Sequence, residues 1–426
     1  MPDTVAPNLV AAVSEPRLWQ RLMEMGAIGG FTDAEGNEGV NRACLTDLDR
    51  QARRLLISWA EAIGLTASID ALGNLFLRHE GGDPTLAPVV TGSHMDSQPA
   101  GGRFDGIWGV LAAFEAVQAL REAGVATRRP IEVVAWTNEE GGRYAPGCMG
   151  SMAYAGHAPP SAWDDVTDKA GIRFGDALAG HLALEADIAR RPLGVVDGQA
   201  PFAYVEAHIE QGPRLEAEGL DIGVVTGIQG SRWFLVEING KSDHAGTTPL
   251  GLRKDAVQDM LRAITALNAL MHDPTDVLRF TVAHIEVEPN TSNSVAGVAR
   301  FTIDFRHPNN AVLQARGNAI EGVIQSALKS CTAKVTERFH ARPSEFAPLV
   351  PDAVEAAARA QGLRALRLPS GAFHDAQFIH PLCPTGMIFV PCRAGVSHHP
   401  AEYAEPSALA AGTRVLAQVL ADLANR

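Results

Sequence analysis

The chain has 426 residues, of which 46% are hydrophobic and 20% are charged, and its formal net charge at pH 7 is −13. A chain longer than about 300 residues exceeds one ordinary core, so we expect a globular protein with two domains. The acidic balance and the lack of a dense lysine or arginine run argue against nucleic acid and anionic membrane surfaces as partners.

The N-terminal segment and the cysteines predict a cytoplasmic protein. The first residues, MPDTVAPNLVAAVSEP, have neither the basic region nor the long apolar region of a secretion signal, and no stretch is long enough to span a bilayer. The cysteines are scattered, odd in number and without a CxxC pair, which is typical of a reducing compartment. They are Cys44, Cys148, Cys331, Cys383 and Cys392.

Helix and strand patterns alternate in the first half of the chain. We predict a helix capped by Thr46 for TDLDRQARRLLISWAEAIGL and an apolar helix ending at a glycine for GVLAAFEAVQALREAG. We predict strands for LGNLFLRHEG, APVVTGSH and RPIEVVAWTNEE. This order indicates an α/β fold with a mostly parallel sheet, in which ligands bind at the carboxyl ends of the strands.

A different pattern follows in the middle of the chain. We predict a strand at RWFLVEI, an amphipathic helix in RKDAVQDMLRAITALNALMH, two strands in RFTVAHIEVEP and SVAGVARFTIDFRHP, and a helix in NNAVLQARGNAIEGVIQSAL. The β-α-β-β-α order predicts a small α+β, ferredoxin-like domain inserted into the larger one. We therefore assign 218–331 to the inserted domain, and 1–217 with 332–426 to the larger, catalytic domain.

The segment TGSHMDSQPAGGRFDG follows one of the predicted strands and places metal-ligating residue types in a glycine-rich turn. Asp96 lies two residues after His94, so both side chains point the same way and the carboxylate can orient the imidazole. Asp105 follows where glycines allow a tight turn. A structural histidine and a helix-capping aspartate are the alternative interpretations.

The segment WTNEEGGRYAPGCMGS places Glu139 and Glu140 side by side after an apolar strand. Adjacent carboxylates repel each other unless a cation or a proton intervenes. Consecutive side chains also point in different directions, so one can bind a metal while the other faces the reacting water. An exposed acidic turn is the alternative interpretation.

Histidines occupy two further segments. His208 alternates with apolar residues in YVEAHIEQGPRLE, as in a strand, between Glu206 and Glu210. His398 and His399 lie in the loop GVSHHPAEY, where a surface position is the alternative. Imidazoles and carboxylates in four separated segments are typical of zinc, manganese or cobalt sites.

Six motifs in this order carry a family resemblance: GSHMDSQPAGGRFDG, WTNEEGGRYAPGCMGS, EAHIEQGPRLE, SDHAGTTP, DFRHP and GVSHHPAEY. Together they resemble the hydantoinase/carbamoylase amidases of the M20 metallopeptidase superfamily, which include N-carbamoyl-L-amino-acid hydrolases, β-ureidopropionases and allantoate amidohydrolases. The six motifs span most of the chain. Any one of them alone is a weak signal, whereas the ordered set is specific.

The resemblance implies two divalent metal ions, zinc, manganese, cobalt or nickel, in each subunit. The implied ligands are His94, Asp105, Glu140, His208 and His398. In this pattern Asp105 bridges the two ions, Glu139 is the general base and Asp96 orients His94. The adjacent His399 holds a position that varies among the relatives.

The resemblance also implies contacts with the substrate. The matching positions are Gln211, His244, Asn293, Arg306 and Gly371. Arg306 offers a planar fork that suits a carboxylate, and His244 can stabilise the oxyanion of a tetrahedral intermediate. The plainer interpretations are that His244 caps a loop, that Asn293 serves a turn, and that Arg306 pairs with Asp304 on a solvated strand.

One segment departs from the family pattern. The relatives usually have SGAGHDA where this chain has PSGAFHDAQ, so Phe373 stands in place of a glycine. This ring can reshape the substrate pocket and the backbone contact assigned to Gly371.

The implied reaction is hydrolysis of the ureido C–N bond of an N-carbamoyl amino acid to the amino acid, ammonia and carbon dioxide. Allantoate hydrolysis is the nearest alternative, since it breaks the same type of bond. A catalytically silent metal-binding or ligand-binding protein on this fold is the alternative from another class. The resemblance further implies a homodimer joined through the inserted domain, which closes over the metals as a lid, and no nucleic-acid or membrane partner.

Overall fold

A computed structural model describes residues 7–195 and 198–426 of the chain. The chain divides into two compact units. The large unit comprises the described residues of Met1–Gly227 and Phe346–Arg426, and the small unit comprises Ile228–Glu345.

Strands and helices alternate along the described residues. The strands are β1 (Gly30–Thr32), β2 (Glu38–Val40), β3 (Thr66–Ile69), β4 (Leu75–His79), β5 (Val89–His94), β6 (Ile131–Trp136), β7 (Ala189–Arg190), β8 (Ala203–Ile209), β9 (Ile222–Ile228), β10 (Gly230–Asn239), β11 (Asp243–His244), β12 (Arg279–Glu288), β13 (Ser294–Val295), β14 (Val298–His307), β15 (Thr332–Ala341), β16 (Ser344–Glu345), β17 (Ala365–Ser370) and β18 (Thr385–Val390). The α-helices are α1 (Pro7–Ala12), α2 (Glu15–Ala27), α3 (Asp47–Ala62), α4 (Ile107–Glu122), α5 (Met149–Tyr154), α6 (Phe174–Leu184), α7 (Arg214–Glu218), α8 (Ala256–Leu270), α9 (Asn310–Ala327), α10 (Leu349–Ala360), α11 (Ala376–Ile379) and α12 (Pro406–Ala424).

The large unit is built on a mixed sheet whose central strands are parallel. Its strand order includes β9-β18-β8-β5-β6-β4-β3-β7. The pairs β18–β8, β8–β5 and β5–β6 are parallel, whereas β9–β18, β6–β4 and β4–β3 are antiparallel. The predicted mostly parallel sheet therefore describes only the centre. A short turn closed by Asp70, which accepts the N–H groups of Leu72 and Asn74, makes β3 and β4 a hairpin.

Helix α4 follows the central strand β5 and lies in the middle of the core. Its residues from Ile107 to Leu120 are all buried, as expected for a helix that is covered on every side. The N–H of Gly124, at φ +65°, bonds to the carbonyl of Arg121, which confirms the predicted glycine end. Helices α2 and α12 pack against α4, so the segment between β5 and α4 is held by rigid elements.

The small unit has its own core and follows the order β10-α8-β12-β14-α9-β15, the ferredoxin-like arrangement. Its sheet order is β12-β14-β10-β15, and these pairs are antiparallel. Helices α8 and α9 cover one face, where they pack on side chains such as Phe234 and Phe301. On the opposite face Trp233 and Phe339 form an exposed aromatic pair, with ring centroids 4.8 Å apart.

The bounds of the two units differ from the predicted inserted domain, 218–331. Strand β9 pairs with β18 in the large sheet, and β15 pairs with β10 in the small sheet. Only Gln229 separates β9 from β10, so no turn signal marks this boundary. Strand β15 is largely exposed and polar, which gives a weak strand signal.

No helix of the described residues is both long and apolar enough to cross a membrane. The five cysteines are free thiols, and most of them are buried.

Candidate metal and active site

Parallel strands deliver the polar residues to one edge of the large sheet. Strand β5 ends at His94, and β8 has His208 as its penultimate residue. Glu139 follows β6, and His398 lies in the loop after β18. Because these four strands are parallel, their carboxyl ends meet at the same edge. The structure thus brings together the four segments that the sequence presents separately.

Asp105 lies at the centre of these residues. Its Oδ1 is 3.0 Å from Nε2 of His208 and 3.6 Å from Nε2 of His94. Its Oδ2 is 3.2 Å from Nε2 of His398, which is itself 3.3 Å from Oε2 of Glu140. Two groups of candidate ligands therefore share one carboxylate. The first is His94, Asp105 and His208, and the second is Asp105, Glu140 and His398.

The hydrogen bonds of the buried imidazoles show that the first group suits a cation. Nδ1 of His94 lies 2.9 Å from the carbonyl oxygen of Asp96, and Nδ1 of His208 lies 2.9 Å from that of Ile209. A carbonyl only accepts, so each Nδ1 carries a proton and each Nε2 faces Asp105, where it offers a lone pair once its own proton is lost. A lone pair repels a carboxylate unless a proton or metal ion lies between them. Metal-binding histidines are oriented in this way through their second nitrogen.

The electrostatics of the site also favour bound positive charge. Burial raises the pKa of Glu139 well above its ordinary value and the pKa of Glu140 to about 7, and neighbouring carboxylates add to both shifts. Burial likewise opposes the ionisation of Asp105, yet the imidazoles of His208, His398 and His94 hold its pKa well below the ordinary value. Cations next to these carboxylates would stabilise the ionised forms, so the donor set fits divalent metal ions.

Asp96 supports the site differently from the prediction. Its backbone carbonyl bonds to His94, whereas its carboxylate Oδ1 is 3.7 Å from Nδ1 of that ring. The carboxylate accepts the N–H groups of Glu139 and Glu140, each at 3.3 Å. Asp96 therefore holds His94 through its backbone and holds the segment with both glutamates through its side chain.

Glu139 lies beside the first ligand group. Its Oε2 is 3.4 Å from Nε2 of His94, and its Oε1 accepts from the thiol of Cys148 at 3.6 Å. The residue is buried. A carboxylate close to the ligands but outside both groups is in a suitable position for proton transfer.

Two predicted substrate contacts in the large unit lie next to ligand candidates. Nε2 of Gln211 donates to Oδ2 of Asp105 at 2.8 Å, so this amide orients the shared carboxylate. Gly371 lies in a turn closed by Ser370, whose Oγ is 2.9 Å from Nε2 of His374. The ring of His374 is centred 4.5 Å from the ring of His208, which places this turn beside the first ligand group.

Ser397 and Glu402 also belong to the site, although the sequence pattern does not single them out. Oγ of Ser397 lies 3.0 Å from Oδ2 of Asp105 and 2.8 Å from Oε2 of Glu402. Glu402 is buried, and burial raises its pKa to about 7, with a further rise caused by Asp105. Both residues belong to the quoted loop GVSHHPAEY. A serine directly before His398 and an acid four residues after it were the available signals.

His244, Asn293 and Arg306 belong to the small unit. Strand β11 pairs His244 with Ser294, and the carbonyl oxygen of Asn293 accepts the N–H of Ala245 at 2.9 Å, so His244 and Asn293 lie close together. Arg306 forms an ion pair with Asp304, with Nη2 2.7 Å from Oδ2. This is the pair that the plainer interpretation of Arg306 predicts.

Comparison with known proteins identifies relatives of nearly the same length. Residues 90–422 match the model of peptidase family M20/M25/M40. The N-carbamoyl-L-amino-acid amidohydrolase of Rhizobium meliloti is 38% identical over 427 residues, 99% of each chain. The allantoate amidohydrolase of Bacillus subtilis is 34% identical over 393 residues, 92% of this chain and 94% of the relative. A solved amidase of the hydantoinase/carbamoylase family from Burkholderia multivorans is 40% identical with a TM-score of 0.88, and the match covers 97% of this chain and 98% of that one.

Gly106 allows the chain to pass closely over the ring of His94. It has φ +65°, and a Cβ at this position would clash with that ring. We expect Gly106→Ala to lower the free energy of unfolding by more than about 2 kcal/mol, because strained backbone and steric overlap add. Gly124→Ala is the matched control, since Gly124 has the same φ of +65° but nothing within 4 Å of its Cβ position. Its expected loss is about 1 kcal/mol. Urea unfolding measures both, and equal losses would contradict the close approach to His94.

Proposed function

The chain belongs to the peptidase M20/M25/M40 family, and we propose that it hydrolyses the ureido C–N bond of N-carbamoyl-L-amino acids. The observation that carries this proposal is the pair of ligand groups that share Asp105, with the buried Glu139 beside them. A relative named for this reaction matches the chain over almost its whole length. The proposed products are the amino acid, ammonia and carbon dioxide.

We assign two divalent cations, zinc, manganese, cobalt or nickel, to the two ligand groups. Imidazole and carboxylate donors in threes are typical of such catalytic sites, which leave further positions for water and substrate. Cations held there supply Lewis-acid activation of the attacking water and of the carbamoyl oxygen. Metal analysis of dialysed protein measures the stoichiometry.

Glu139 is the proposed general base. It accepts a proton from the water that attacks the carbamoyl carbon and delivers that proton to the nitrogen of the leaving amine. The C–N bond to the amino acid breaks, and the remaining carbamic acid decomposes to ammonia and carbon dioxide. The carboxylate of Asp96 accepts the backbone N–H groups of Glu139 and Glu140, and these bonds fix the backbone that carries the Glu139 side chain.

We propose that the small unit supplies the substrate contacts. Nδ1 of His244 accepts the N–H groups of Gly246 at 3.0 Å and Thr247 at 3.3 Å, so the neutral ring carries its proton on Nε2. This N–H is a donor suited to the oxyanion of a tetrahedral intermediate. Arg306, whose guanidinium is oriented by Asp304, is the proposed partner of the substrate carboxylate. Asn293 and, in the large unit, Gln211 and Gly371 are the further proposed contacts.

We propose a homodimer that forms through the small unit. Large apolar side chains on this unit are strongly exposed, among them Leu250, Leu252, Leu261 and Ile285. A two-fold contact through helices and an edge strand would remove such side chains from water and pair one outer strand of the sheet, β12 or β15, with its copy in the partner. In such a dimer His244 or Asn293 can serve the partner's site. Light scattering would show a mass twice that of the chain.

The five free thiols support a cytoplasmic location.

Allantoate hydrolysis is the second candidate function. The Bacillus subtilis relative that carries this name matches 92% of the chain. Allantoate offers the same type of bond and a carboxylate, so the same base and ligands would serve.

A catalytically silent binding protein is the alternative from another class. The presence of Glu139 together with a full set of ligand candidates argues against it.

Ammonia release across a panel of substrates tests the proposed function. The panel contains N-carbamoyl-α-L-amino acids, N-carbamoyl-β-alanine and allantoate. We expect the highest kcat/KM for an N-carbamoyl-α-L-amino acid, loss of turnover on chelation and recovery with added metal. A higher kcat/KM for allantoate would assign the second candidate. No ammonia from any substrate with metal-loaded protein would favour the binding protein.

Glu139→Gln should separate chemistry from metal binding. We expect kcat to fall at least about 10²-fold, because the amide cannot take the proton from water, while the bound metal stays at the wild-type level. Glu210→Gln is the matched control, since Glu210 accepts the N–H groups of Arg214 and Leu215 and lies outside both ligand groups. Near-normal kcat in Glu139→Gln would rule out this base.

Arg306→Ala should weaken recognition of the substrate carboxylate. We expect KM to rise at least about tenfold for an N-carbamoyl amino acid, since a charged hydrogen-bonded pair is lost. Arg300→Ala is the matched control, because Arg300 lies on the same face of β14 and pairs with Glu237. An equal rise in KM in both variants would show a general effect on the strand. An unchanged KM in Arg306→Ala would mean that another group binds the carboxylate.

A further inference from the structure

Glu402 is a buried carboxylate next to Asp105 to which the proposed reaction assigns no role. Its Oε1 accepts the N–H of Phe104 at 2.9 Å and the N–H of Asp105 at 3.0 Å, and its Oε2 lies 2.8 Å from Oγ of Ser397. Gly102 leaves space for it, since a Cβ there would overlap the carboxylate. Glu402 therefore holds the backbone of Asp105 and also contacts a hydroxyl that faces the Asp105 side chain.

The hydroxyl of Ser397 has more acceptors than protons. Its Oγ is 3.0 Å from Oδ2 of Asp105 and 2.8 Å from Oε2 of Glu402, and its single proton can go to only one of them. The amide of Gln211 lies 2.8 Å from Oδ2 of Asp105 and 3.1 Å from Oγ of Ser397, and its two protons can serve both. The direction of the Ser397 proton therefore decides how many donors Asp105 receives.

The direction of the Ser397 O–H matters for the second ligand group, because Oδ2 of Asp105 has few lone pairs. Oδ2 has two lone pairs, one of which accepts from Gln211. An ion held by Asp105, Glu140 and His398 needs the other. A Ser397 hydroxyl pointed at Oδ2 would compete with that ion.

We propose that Glu402 is a positioning residue that draws the Ser397 proton to itself and so keeps one lone pair of Asp105 available for the second ion. Glu402 acts through Ser397 and through the backbone of Asp105, without touching the ion. This inference rests on the proposed assignment of metals to the two ligand groups. It predicts that the direction of one hydroxyl sets the affinity of the second site but not that of the first.

Glu402→Gln should turn the O–H of Ser397 from residue 402 toward Asp105. It should keep the hydrogen bonds that residue 402 accepts from the N–H groups of Phe104 and Asp105. The amide oxygen must face the N–H groups of Phe104 and Asp105, because the amide nitrogen cannot accept, so the nitrogen faces Ser397. Ser397 then accepts this N–H and donates to Asp105. We expect the affinity for the second Co²⁺ to fall at least about tenfold, with the first Co²⁺ changed less than about threefold.

Ser397→Ala separates the effect of the hydroxyl from the effect of the lost charge. Combined with Glu402→Gln, it removes the competing donor, so the second-site affinity should return to within about threefold of wild type. No recovery in the double variant would attribute the loss to charge and overturn the hydroxyl mechanism. Ser397→Ala alone should change this affinity less than about threefold. A tenfold gain there would show that Ser397 already donates to Asp105, which also overturns the proposal even if Glu402→Gln fails to fold.

The measurement is titration of metal-free protein with Co²⁺, followed by calorimetry and visible absorption. Asp259→Asn is the matched control, since Asp259 also accepts loop N–H groups, those of Lys329, Ser330 and Cys331 in the small unit. It should leave both Co²⁺ affinities unchanged. Wild type that binds fewer than two Co²⁺ would overturn the metal assignment itself. Two Co²⁺ in wild type with an unchanged second site in Glu402→Gln would overturn the role of Glu402 alone.

Discussion

The shared carboxylate of Asp105 is the constraint on which the rest of the site depends. It is buried, and its two oxygens face different groups, with the His94 and His208 rings near Oδ1 and the His398 ring near Oδ2. A carboxylate in so little water must have partners for its lone pairs and its charge. The surrounding carbonyls fix Nδ1–H of His94 and His208 and so aim both Nε2 lone pairs inward. The arrangement of lone pairs around a common centre is what makes the site suited to cations.

This carboxylate keeps its place because the chain around it is held by rigid elements. Asp105 does not cap helix α4, for which Gly106 is the N-cap residue, and no side-chain cap bond is found at this end among the described residues. The capping alternative for Asp105 is therefore wrong, and its carboxylate is turned toward the imidazoles. The close approach at Gly106 requires a glycine, while the buried length of α4 prevents the turn from shifting. The glycine-rich turn thus has a geometric purpose, which is to return the chain across His94.

The sequence presents the candidate ligands in separate segments at or after the ends of apolar strands, and the carboxyl ends of parallel strands meet at one edge of the sheet. It does not predict contacts that depend on distant segments. The carboxylate of Glu402 meets the N–H of Phe104 across 298 positions, and the side chain of Asp96 meets the amides of Glu139 and Glu140 across more than forty. No local pattern encodes such bonds, since they arise only when the sheet and its loops are assembled. The same reason explains the misplaced domain bounds, because β9 and β15 are assigned by their pairing partners and not by their own composition.

The two units divide the proposed chemistry between two separately packed cores. The ligand candidates and Glu139 belong to the large unit, whereas His244 and Arg306 belong to the small one, which has its own hydrophobic cluster. In the small unit, backbone N–H groups fix the tautomer of His244, and Asp304 fixes the guanidinium of Arg306. Each unit therefore orders its polar groups when it folds, so little rotamer entropy remains to be lost when a substrate binds. Preorganised hydrogen-bond donors stabilise the charge that develops in a transition state more effectively than donors that must first reorganise. The hydrogen bonds behind the polar side chains consequently matter as much to the proposed reaction as the side chains themselves.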